Sequence, residues 1–179
     1  MKFKNSVVIY GTILLFLSCA TNPFSGKKTL ALVSNSQLFP TSFAQYDEFL
    51  TENKVITGTN DAEMIKRVGQ RIAAASKQWL DANGYNGYLK EYKWEYNLVN
   101  DKTVNAWCMP GGKIVFYTGI LPIAQSETGV AAIMGHEVSH ALANHGQQRM
   151  SAGMLQQRGE VAGNVAIKEE KSREMVNQA

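Results

Sequence analysis

The sequence predicts an α+β domain with a small antiparallel sheet, and three features of its patterning carry that prediction. Apolar residues recur at intervals of three, four and seven from Met64 to Leu80, alternate singly from Tyr92 to Val99, and return to helical spacing after Ser126. With 179 residues, 45% of them apolar and 18% charged, the chain has the composition of one globular domain with a core.

The first 18 residues read as a secretory signal peptide. Lys2 and Lys4 form a basic head, Val7 to Leu17 is apolar apart from Gly11 and Thr12, and Ser18 stands just before Cys19. The run is short for a membrane span, although an uncleaved anchor is the alternative reading. Without Lys2 and Lys4 the formal charge of +3 falls to near +1, a balance that points to no nucleic-acid partner. A thiol at the end of such a run lies at the membrane surface, where attached acyl chains would tether a soluble domain. Cys108 would then be the only other cysteine, so no internal disulfide can form.

Residues 19–29 are expected to be Cys19 and a turn-rich tether with little packing, through Asn22, Pro23, Ser25 and Gly26. The remainder, 30–179, forms the domain. A helix is expected over Ser36 to Glu52, with Phe43, Tyr46, Phe49 and Leu50 on one stripe. The next can be capped by Asn60 or Asp61, carries Met64, Ile65, Val68, Ile72, Trp79 and Leu80 inward, and ends near Asn83-Gly84. Trp94, Tyr96 and Leu98 alternate with Lys93, Glu95 and Asn97, the pattern of a half-buried strand. Strands over Val104 to Cys108 and Lys113 to Tyr117, joined through Met109-Pro110-Gly111-Gly112, complete a three-stranded antiparallel unit. Val130, Ile133, Met134, Val138, Ala141 and Leu142 then make a helix apolar on most sides, expected to be buried. The tail from Ser151 reads as a surface helix.

Within the apolar helix stands His136-Glu137-Val138-Ser139-His140, an HExxH motif. Two histidines four apart point in nearly the same direction and can hold one Zn²⁺, while Glu137, turned about 100° round the axis, can reach a water bound to it. Zinc with three protein ligands and one open position lowers the pKa of its water to about 7 and polarises a peptide carbonyl. Glu137 is the candidate base that takes the water's proton. All three histidines fall between 136 and 145. His145, nine residues beyond His136, is expected on the other side of the helix, and a helix-end role, a role supporting a ligand and a direct function all stay open.

These residues resemble the gluzincin zinc metallopeptidases that include the HtpX-type and CAAX prenyl proteases and envelope lipoprotein proteases. The likeness extends beyond HExxH to Asn105 through Ile114, Tyr117 through Ile120, Glu127 through Gly135, His145 to Ser151 and Asn22 through Lys28. Phe16-Leu17-Ser18-Cys19 is similar to a lipobox, which implies diacylation of Cys19 and an envelope location, on the periplasmic side or at the outer membrane. The resemblance also implies a zincin-like domain and an endopeptidase acting on exposed or misfolded polypeptide. The alternative is a membrane-tethered binding or chaperone-like relative without catalysis. The family resemblance further implies a third ligand, a Glu from an ExxxD motif on a later helix. No Asp follows Asp101, and Glu160 with Asn164 is an imperfect match, so the C-terminal part is expected to be incomplete and the third ligand stays open. The strand near Ile114 to Tyr117 could hold substrate main chain to main chain, or only pack the core.

Overall fold

The structure, a computed structural model, describes residues 19–24, 26 and 28–157. The expected signal peptide and Glu160 lie outside the described residues. A short hairpin, β1 (Cys19–Thr21) and β2 (Lys28–Leu30), leads into α1 (Asn35–Glu52). Strand β3 (Val55–Ile56), helix α2 (Asn60–Ala82) and strands β4 (Glu95–Val99), β5 (Ala106–Met109) and β6 (Lys113–Tyr117) follow. A 3₁₀ turn over Thr118–Ile120 and the short α3 (Leu121–Ala124) bring the chain to α4 (Glu127–Leu142), and residues 145–157 form a last described helix, α5.

The α+β class holds, but the sheet is mixed rather than antiparallel. Its order is β3-β4-β6-β5, with β4 and β6 parallel and the two outer pairs antiparallel. Alternation within a strand says which face it buries, not which neighbour it takes. The clue to the centre is β6 itself: Ile114, Val115 and Phe116 are all fully buried, a continuous apolar run of the kind a two-sided interior strand needs. Ile114 and Phe116 pack with Leu98, Ile65, Val68 of α2 and Met134, Val138 of α4, while Val115 packs on the other side with Tyr46 of α1 and Val99. The sheet is thus sandwiched, with α1 on one face and α2 and α4 on the other.

Local chemistry sets the element ends. Ser34 caps α1 with a reciprocal capping box to Gln37, and Thr59 caps α2 by accepting from the Ala62 amide at 3.2 Å, one residue before the position read from the sequence. The β5–β6 turn needs glycine: Gly111 has φ +87°, and a Cβ there would lie 2.5 Å from the Phe43 ring. α1 clamps this turn, since Ser42 Oγ donates to the Pro110 carbonyl at 2.7 Å.

Two further expectations are corrected. The described residues of 19–29 are no loose tether: Asn22 is buried and its amide donates to the Ala143 carbonyl at 2.8 Å, 121 residues away. Trp79, placed inward by its spacing, is 43% exposed because it stands at the last turn of α2, where Phe24 stacks on it at 4.9 Å. Among the described residues no helix is long and apolar enough to cross a membrane.

Candidate metal centre

Helix α4 begins at Ser126, whose side chain accepts from the Gly129 amide at 3.1 Å. Glu127 in its first turn meets the favourable end of the helix dipole and pairs with Arg67 at 2.7 Å and Arg71 at 3.4 Å, which ties α4 to α2 and holds the Glu127 carboxyl below its ordinary pKa. Val130, Met134, Val138, Ala141 and Leu142 form its buried stripe.

The expectation of an all-round buried helix is corrected here. His136, Ser139 and His140 are exposed and Glu137 is half-buried. Ala131, Ala132 and Gly135 raise the helix's apolar content without demanding burial, so composition overstated how much of its surface is covered. An open face on a helix anchored by its other face is what a reactive site requires.

The far end of α4 is unusually well satisfied. The last carbonyls of a helix lack partners within it, and here Tyr92 Oη donates to Ala141 O at 3.3 Å, Tyr88 Oη to Leu142 O at 2.7 Å, and both Asn22 and Gln148 amides to Ala143 O at 2.8 Å. Burial pushes the Tyr88 hydroxyl up to about 12, softened by the Asn144 amide that donates to it at 2.9 Å. Tyr88→Phe removes both bonds and is expected to cost about 1–3 kcal/mol, read as a lower urea midpoint with an unchanged slope.

The chain breaks helix after Ala143. Asn144 takes φ +56°, a left-handed conformation tolerated by asparagine, and α5 starts at once. This turn overrules the expectation that His145 faces away: on an unbroken helix it would sit about 140° round from His140, yet its Nδ1 lies 2.6 Å from His140 Nδ1. His136 and His140 present their Nε2 atoms to each other at 3.1 Å. Two nitrogens on one tetrahedral zinc, each bonded at about 2.0–2.1 Å, are separated by a little over 3 Å, so the imidazole pair fits a shared cation. Among the described residues no group of three His, Cys, Asp or Glu side chains converges on a metal site, so the pair stands without a third described donor.

Edge strand β5 packs along α4 and brings Cys108 beside Glu137. Burial first, and then the Glu137 charge, raise the Cys108 thiol far above its ordinary range, which makes it an inert neighbour. β6 is enclosed between β4 and β5, so it has no free edge for an added strand; the free edge beside the motif belongs to β5 (Ala106–Met109).

The model for peptidase family M48 matches residues 60–177, two thirds of the chain and all of the motif helix. The chain belongs to peptidase family M48. The resemblance to gluzincin peptidases is borne out at that level. Among its relatives, mitochondrial metalloendopeptidase OMA1 of Arabidopsis thaliana is 42% identical over 76 residues, covering 42% of this chain and 16% of that protein. The protein of the same name in Saccharomyces cerevisiae is 36% identical over 89 residues, 49% of this chain and 25% of the relative. Metalloprotease YcaL of Escherichia coli is 27% identical over 96 residues, 54% of this chain and 35% of the relative. The chain therefore spans between 16% and 28% of the length of these and other OMA1 proteins it matches.

Sequence reasoning missed the support that Asn22, Tyr88 and Tyr92 give the motif helix: Asn22 and Tyr88 stand in segments with no periodic signal, and the alternation that starts at Tyr92 does not tell where its hydroxyl bonds. Asn144 carried a legible signal, an asparagine at the end of a helical run.

Proposed function

We propose that the chain is a zinc-dependent metalloendopeptidase that hydrolyses peptide bonds in exposed or misfolded polypeptide at the cell envelope. The observation that carries this reading is the convergence of the His136 and His140 Nε2 atoms at 3.1 Å on the open face of α4, with Glu137 between them in sequence. His136 and His140 would hold the ion. Bound zinc supplies Lewis acidity toward a peptide carbonyl and lowers the pKa of water to about 7.

The protein's own part is positioning and proton transfer. Glu137, half-buried against β5, takes a proton from the attacking water and returns it to the departing amine, so the carboxylate ends as it began. Substrate in extended form adds to the free edge of β5, where backbone pairing holds many sequences alike. Such pairing suits unfolded chains, whose main-chain groups are free.

The test is degradation of unfolded casein by the purified chain, blocked by a chelator and restored by added zinc. Casein bound but left uncut after zinc addition would support the non-catalytic relative instead.

The envelope location rests on the signal-like first 18 residues and on Cys19, the proposed lipid site. Cys19→Ala is expected to move the protein from the membrane fraction to the soluble fraction. A cleaved Cys19→Ala form that still sediments with membranes would refute the lipid anchor.

A further inference from the structure

We propose that His145 is a positioning residue for His140: its Nδ1 accepts the His140 Nδ1–H and so fixes the tautomer that leaves the His140 Nε2 lone pair free for a metal. This rests on the reading of His136 and His140 as a metal pair.

Both ring nitrogens of His140 are engaged, Nε2 with His136 at 3.1 Å and Nδ1 with His145 at 2.6 Å. A neutral imidazole carries one N–H and one lone pair. Were the proton on Nε2, it would point at His136 and neither nitrogen could share a cation at that point. Only the Nδ1–H tautomer leaves the pair competent, and that proton needs an acceptor, which His145 Nδ1 supplies. The other N–H of a ligating histidine is ordinarily given to a carboxylate, carbonyl or water, a contact that orients the ring and raises its basicity; here a third imidazole takes that part. His145 meets the side of the His140 ring remote from the metal-facing nitrogen, so it acts through His140 and is not itself a ligand in this arrangement.

The placement is built in, since His145 reaches His140 only because Asn144 turns the chain at φ +56°, and Asn144 is pinned by its bond to Tyr88 Oη, itself bonded to Leu142 O. Behind the turn, Gln147 is buried and donates to the Val33 carbonyl at 2.7 Å, which fixes the first turn of α5.

The test uses the full chain labelled with ¹⁵N-histidine. With three histidines in the sequence, the His136→Ala and His145→Ala variants assign every ring. In the metal-free protein His140 is expected as the Nδ1–H tautomer, shifting toward Nε2–H in His145→Ala. Zinc affinity, by competition with a chromophoric chelator, is expected to fall about 10–100-fold in His145→Ala and to recover in part in His145→Gln, whose side-chain oxygen can accept the same proton. A merely structural residue would leave the tautomer unchanged. A dominant Nε2–H tautomer in the unaltered chain, or unchanged zinc affinity in His145→Ala, overturns the proposal. If the unaltered chain binds no zinc, the metal reading fails separately, and the tautomer spectrum still decides the His140–His145 bond.

Discussion

Glu137→Gln is expected to lower hydrolysis of an unfolded polypeptide by about 10²–10⁴-fold while zinc content stays at the unaltered level. Gln has nearly the shape of Glu but cannot take up a proton at neutral pH. Position 137 is half-buried, between the exposed His136 and the buried Val138, and its helix is fixed by contacts that do not involve the carboxylate: the Ser126 cap, the Arg67–Glu127 pair and the tyrosine-capped end. The loss should therefore appear in turnover with little change in the unfolding midpoint. Undiminished cleavage by Glu137→Gln would assign the proton transfer to another group.

His136→Ala is expected to abolish zinc binding at micromolar protein and, with it, activity. It leaves a single imidazole nitrogen where two face each other at 3.1 Å. Because His136 is exposed and the buried stripe of α4 is untouched, metal-free stability should change by no more than about 0.5 kcal/mol. Added zinc should raise the melting temperature of the unaltered chain, since a ligand that binds only the folded state stabilises it. It should leave that of His136→Ala where it was. Equal zinc-induced shifts in both proteins would place the cation elsewhere.

Where one side chain's period decides the structure, the sequence was readable. Helix α2 follows its three-four-seven spacing to within a residue at each end, and the turn through Pro110, Gly111 and Gly112 stands where its glycines require it. The HExxH spacing likewise brings His136 and His140 together, because four residues on a helix is a local relation. What could not be read depends on distant partners. Nothing in the alternation of Glu95–Val99 says that β6 rather than β5 lies beside it; that follows from both faces of β6 being covered, α1 on one and α2 with α4 on the other. The turn-rich composition around Asn22 described a tether, yet one amide bonded to the end of α4 makes it part of the domain. His145 shows how little a local change need be. A single left-handed residue, Asn144, breaks the helical phase on which its expected direction depended and returns it to the site.

The most direct test of the metal-centre reading is zinc per chain in the purified protein, measured beside His136→Ala and with casein cleavage followed on the same samples. About one zinc per chain, absent from His136→Ala and accompanied by chelator-sensitive cleavage, is the expected result. A folded chain carrying no more zinc than the His136→Ala control, and leaving casein intact, would contradict it.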